Sequence, residues 1–144
     1  MRSPDRFTYP ADGRLTGEMQ AAYARDGYLV LDGFATPEVC ALLRARTHDL
    51  IAAFDPEENR VAFSAQAQEH AAKSYFRDSG DKVRFFVEEG AVAADGTLDR
   101  PKALAVNKIG HALHDLDPIF TPFSRDPRLA ETAADLGLAD TVLA

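Results

Sequence analysis

The chain has 144 residues, 46% of them hydrophobic and 27% charged, with a formal net charge of −7. This is the composition of a globular domain, and at this length a single core that buries about 70% of the unfolded surface is within reach. The acidic balance argues against a nucleic-acid partner, because counterion release on a phosphate backbone rewards basic surfaces. The single cysteine, Cys40, leaves no internal disulfide and suits a reducing cytoplasm. No apolar run approaches the roughly 18 residues of a membrane span, and the opening MRSPDRFTYPADGRLT lacks the apolar core of a signal peptide.

Residues 1–15 contain Pro4, Pro10 and Gly13 among charges and are expected to form a flexible N-terminal arm, with the domain running over residues 16–144. Thr16 is placed to cap a helix whose face carries Met19, Ala22 and Tyr23, ended by Asp26-Gly27. The apolar run Tyr28-Leu29-Val30-Leu31 between two Asp-Gly breaks predicts a buried strand. Thr36-Pro37-Glu38 then opens a second helix, because threonine caps, proline suits the first helical position and glutamate suits the first turn. Val39, Leu43, Leu50, Ile51 and Phe54 repeat at helical spacing up to the stop at Asp55-Pro56, and His48 falls on the solvated edge.

Residues 57–78 predict a strand at 61–63 followed by a helix, with no role for His70. After the turn at 79–82, the segment from Val83 to Glu89 alternates, Val83, Phe85 and Val87 facing one way and Arg84, Phe86 and Glu88 the other. A polar turn around Asp95-Gly96 precedes a further strand, expected over 103–109. Lys108 shares a face of that strand with Leu104 and Val106. If that face is the inner one, an ammonium stands at the end of an apolar row and requires an anion; if it is the outer one, Lys108 is an ordinary solvent-side lysine. Gly110 breaks the strand, a short helix follows, and Asp126-Pro127 opens a last helix with Leu129, Ala133 and Leu136 on its apolar face and Gly137 at its end. The final residues, 138–144, begin a further strand.

The segment VNKIGHALHDLDPIF concentrates chemistry. On a helix, His111 and His114 would share a face, with Asp115 or Asp117 as a third metal ligand, although helical zinc pairs more often lie four residues apart. The simpler reading is that these residues cap and solvate a helix start. The two-histidine, one-carboxylate triad of non-haem iron needs a His-x-Asp/Glu pair and a later histidine. Two residues after His48, His70, His111 and His114 stand Leu50, Ala72, Leu113 and Leu116, and no histidine follows His114. No metal ligand and no catalytic residue is therefore assigned within the chain. Glycine-rich phosphate loops and a nucleophile elbow are absent from the sequence, and Cys40 reads as a small core residue.

Three blocks, ARDGYLVLDGFATPEVCALLRARTHDLI, YFRDSGDKVRFFVEEGAV and NKIGHALHDLDPIF, occur in this order and together resemble the N-terminal half of the phytanoyl-CoA dioxygenase family, above all its domain-containing proteins. The resemblance covers about residues 17–138. It implies an α+β chain that forms the N-terminal part of a double-stranded β-helix, or jelly roll, with packing helices. It also implies an Fe(II)- and 2-oxoglutarate-dependent hydroxylation of a small-molecule substrate, with Lys108 as the family's 2-oxoglutarate-contacting lysine. The family's iron ligands and its second 2-oxoglutarate anchor lie beyond the matched region. The expectation is thus a cytoplasmic dioxygenase segment, truncated before the iron-binding strands and inactive by itself. The alternative is a non-catalytic binding module that complements a C-terminal partner chain carrying the missing half, with neither nucleic acid nor membrane as a partner. A small metal-binding domain on His111, His114 and Asp117 is a third reading.

Overall fold

A computed structural model describes residues 4–59, 70–88 and 90–139. The strand expected at 61–63 and the residues from 140 onward in the expected last strand lie outside them. Helices and small sheets place the chain in the α+β class, with two two-stranded sheets among the described residues. The chain clusters into two units, one of Met1–Ala41 with Pro122–Leu143 and one centred on Leu42–Thr121. No helix among the described residues is long and apolar enough to cross a membrane.

In the first unit, β1 (Arg6–Thr8) pairs in parallel with β2 (Val30–Asp32). A strand thus lies within the segment expected to be a flexible arm, tied by the Arg6 guanidinium on the Asp32 carboxylate and by Tyr9 N–H donating to the Asp32 carbonyl at 2.8 Å. The helix α1 (Gly17–Asp26) begins where the sequence indicates. Thr16 accepts from Met19 N–H at 3.3 Å, and Gly27 ends the helix at φ 78°, a left-handed conformation that glycine adopts without cost. Met19 and Ala22 are buried, as the helical spacing predicts.

The helix α2 (Pro37–Ala53) begins with Val39 N–H on the Thr36 hydroxyl as its cap. Its predicted stripe is half-buried at Val39, Leu43, Leu50 and Ile51, and Phe54 just beyond it is buried. Cys40, one step off the stripe, is exposed rather than a core residue. A short 3-10 turn (Pro56–Asn59) follows.

The second unit adds α3 (His70–Arg77), β3 (Val83–Val87), α4 (Lys102–Ala105), β4 (Val106–His111) and α5 (Leu113–Leu116). The strands β3 and β4 are antiparallel, pairing Arg84 with Gly110, Phe85 with Ile109 and Phe86 with Lys108, with a bulge between Phe86 and Val87. Phe85 stacks on Phe54 at 4.4 Å between ring centroids and 16° between planes, which joins the sheet to the end of α2. Lys102 donates to the Ala52 and Phe54 carbonyls at 2.6 Å each, placing a cation at the negative end of α2.

The strand expected over 103–109 is shifted. Pro101 opens one helical turn, with Leu104 and Ala105 N–H on its carbonyl, so β4 begins only at Val106 and continues through Gly110. Leu104 is consequently exposed and outside the strand, and the apolar row expected beside Lys108 does not form. The helices α6 (Phe120–Ser124) and α7 (Pro127–Asp135) close the described chain. Asp126 caps α7 by accepting from Arg128 N–H at 3.0 Å, and Gly137 follows it at φ 77°.

Candidate functional site

The polar end of the β3–β4 hairpin gathers Lys108, His111 and Ser79 within the second unit. Lys108 stands on the exposed side of β4 opposite Phe86. The strand holds His111 at its last position, where His111 N–H and Ala112 N–H both donate to the Lys82 carbonyl, at 2.8 and 3.1 Å. The turn after α3 brings Ser79 beneath the imidazole, fully buried. It is formed by Ser79 N–H on the Phe76 carbonyl and Lys82 N–H on the Ser79 carbonyl.

Two contacts join the three side chains. Ser79 Oγ lies 2.7 Å from His111 Nδ1, and Lys108 Nζ lies 2.9 Å from His111 Nε2. Lys108 Nζ also stands 5.1 Å from the centroid of Phe86 and 5.5 Å from that of Phe76, within cation–π range. The imidazole meets Phe76 and Phe86 edge-on at 5.4 and 5.6 Å, so an aromatic floor supports lysine and histidine together.

The other cations of the hairpin are engaged. Lys82 pairs with Asp81 at 2.7 Å. Arg84 lies 4.4 Å from the centre of the Tyr75 ring and donates to the Tyr75 carbonyl. Burial pushes the Tyr75 phenol up, partly offset by its contact with the Phe85 backbone and by the Arg84 charge. Among the described residues, no carboxylate pairs with Lys108. An ammonium offers three hydrogens, and His111 takes one. Lys108 is thus an exposed cation on an aromatic platform, the solvent-side alternative of the strand reading. A depression of about 280 Å³ lined in part by Thr47, Ile51, Val106, Lys108 and Phe120 borders the same strand.

A family model for phytanoyl-CoA dioxygenase matches residues 23–143. The chain belongs to the phytanoyl-CoA dioxygenase family. It is 38% identical over 125 residues to a phytanoyl-CoA dioxygenase of Arabidopsis thaliana, with 87% of this chain and 44% of the relative covered. It is 38% identical over 130 residues to a phytanoyl-CoA dioxygenase domain-containing protein 1 homolog of Dictyostelium discoideum, covering 90% and 46%. For phytanoyl-CoA dioxygenase domain-containing protein 1 of Bos taurus the identity is 39% over 121 residues, covering 81% and 42%. The chain thus spans less than half the length of each of these relatives.

Against this family background, the residues singled out in VNKIGHALHDLDPIF divide. Lys108 and His111 come together, whereas His111 and His114 sit on β4 and α5 and share no helix face. Asp117 is buried and bound elsewhere. It accepts from Arg46 Nε at 2.7 Å and from the Ile119 and Phe120 N–H groups at 2.9 and 3.1 Å. Burial pushes its carboxyl up, but these donors outweigh burial and hold it below the ordinary carboxylate value. His114 Nε2 faces Asp115 at 3.4 Å. No group of three or more potential metal ligands occurs among the described residues.

Sequence reasoning missed Ser79, Phe76 and Phe86 as supports of Lys108. The available signal was the spacing Lys108-Ile109-Gly110-His111, in which a lysine can fold back over a residue without a side chain to meet an imidazole.

Proposed function

We propose that this chain supplies the N-terminal portion of an Fe(II)- and 2-oxoglutarate-dependent hydroxylase with a jelly-roll core, in which Lys108 binds a carboxylate of 2-oxoglutarate. Family membership supports the reaction class. The observation that carries the residue assignment is the exposed Lys108 ammonium, set near two aromatic rings and 2.9 Å from His111 Nε2, with no carboxylate partner among the described residues. A dicarboxylate supplies the missing charge, and lysine meets it as a point charge.

Bound ferrous ion and 2-oxoglutarate would supply the family's chemistry, in which dioxygen is the oxidant, 2-oxoglutarate is oxidised to succinate and carbon dioxide, and a small-molecule substrate is hydroxylated. The chain offers no His-x-Asp/Glu pair for the iron, so the contribution assigned to it is confined to binding and orienting the co-substrate. Lys108 fixes one end of the dicarboxylate, and the Phe76 and Phe86 rings shield the ammonium from water on one side. In this reading the 144 residues alone are inactive, and the missing ligands come from further polypeptide, in one chain or as a complementing partner.

Incubation of the purified chain with Fe(II) and 2-oxoglutarate is expected to release no succinate above a heat-denatured control. Residues 1–144 joined to the remaining length of the Dictyostelium relative are expected to gain 2-oxoglutarate-dependent succinate release that Lys108→Gln lowers. Turnover by the 144 residues alone contradicts the division of labour, and a fusion indifferent to Lys108→Gln contradicts the residue assignment.

A further inference from the structure

We propose that His111 is a positioning residue that aims the Lys108 ammonium at its anion, and that the buried Ser79 hydroxyl enforces the one imidazole tautomer able to do so. The inference deepens the 2-oxoglutarate reading of Lys108 and rests on it.

The tautomer follows from counting hydrogens. Ser79 has a single hydroxyl hydrogen and donates it to the Phe76 carbonyl at 2.5 Å. Its oxygen is then an acceptor for His111 Nδ1–H at 2.7 Å. A neutral imidazole carries one N–H, which leaves Nε2 as a bare lone pair. The ammonium, which has only hydrogens to offer, donates to that lone pair at 2.9 Å. With a hydrogen on Nε2 instead, two donors would face each other, and the fully buried Ser79 would confront an Nδ1 lone pair with its hydrogen already committed. One state satisfies all three groups, the Nδ1–H imidazole beside a charged lysine.

The arrangement acts on binding through preorganisation. A lysine stem has many rotamers, and an anion must otherwise immobilise them on arrival. Here one hydrogen is already anchored on His111 and the charge lies over Phe76 and Phe86, leaving two hydrogens for a carboxylate.

The test combines imidazole NMR with 2-oxoglutarate titration of the chain. Long-range 15N–1H correlation spectra should show His111 as the Nδ1–H tautomer in the absence of co-substrate. Ser79→Ala should raise the Nε2–H fraction and weaken 2-oxoglutarate binding. His111→Leu should lose affinity several-fold, the effect of having to immobilise one lysine side chain on binding. His111→Gln, whose amide oxygen accepts from the lysine, should recover part of that loss. Both His111 variants forfeit the Ser79 contact, so their difference reports the acceptor rather than the fold, even if Ser79→Ala fails to fold. An Nε2–H tautomer in the unsubstituted chain, or equal affinities for His111→Gln and His111→Leu, overturns the inference. It also falls if Lys108→Gln abolishes binding while His111→Leu binds like the unsubstituted chain. If Lys108→Gln leaves binding unchanged, or the unsubstituted chain does not bind, the functional reading fails and carries this inference with it.

Discussion

The stem of Lys108 lies across Gly110, so that a Cβ built at Gly110 would stand 3.0 Å from Lys108 Cε and 3.8 Å from Nζ. The obstacle is the flexible end of a lysine rather than backbone, so an added methyl group is relieved by moving the lysine. Gly110→Ala is therefore expected to change unfolding free energy by less than about 1 kcal/mol while weakening 2-oxoglutarate binding several-fold. Urea denaturation and ligand titration of the same variant check the two halves separately. Unchanged affinity would show that the position of the lysine is not set across this glycine.

Asp117 gives the fold a sensitivity to acid. Its carboxyl is held below the ordinary value by Arg46 and by the Ile119 and Phe120 N–H groups, despite the opposing effect of burial. A depressed folded-state value means that this stabilisation is complete above the unfolded-state value of about 3.9 and is lost as pH falls through the folded-state value. Asp117→Asn is expected to cost about 2 kcal/mol near neutrality, because it removes the charge facing Arg46. The deficit relative to the unsubstituted chain should shrink below about pH 4. Parallel denaturation curves across pH 7 to 3 test this, and a deficit independent of pH would contradict it.

The Phe54–Phe85 stack is the expected mechanical centre of the second unit. Phe54 is buried and lies flat on Phe85, whereas Leu42 on α2 is 53% exposed. Phe54→Ala should cost about 3–5 kcal/mol, enough to unfold a marginal unit, and Leu42→Ala should stay within about 0.5 kcal/mol. Thermal denaturation followed by circular dichroism separates the two. Similar melting shifts for both would place the core elsewhere.

Much of this architecture is legible in local chemistry. Thr16, Thr36 and Asp126 cap α1, α2 and α7 where the sequence places them, since a cap needs only its own neighbours. The strand expected from Ala103 fails because Pro101 favours a helical turn that competes with extended backbone. The helix α6 escapes a reading based on apolar spacing, although Asp117-Pro118 offers the same signal as Asp126-Pro127. The site divides along the same line. Lys108 can be singled out from a strand pattern and a family resemblance, but Ser79 and His111 stand 32 residues apart, and only the fold brings them together. Asp117 looks like a candidate ligand until its burial against Arg46 is seen, and burial is a tertiary property.

The most direct measurement is an NMR titration of the isotopically labelled chain with 2-oxoglutarate, run beside Lys108→Gln. Saturable shifts centred on Lys108 and His111, lost in the variant, are the expected result. Absence of binding, or binding that Lys108→Gln leaves intact, would contradict the assignment of this lysine as the co-substrate's cationic anchor.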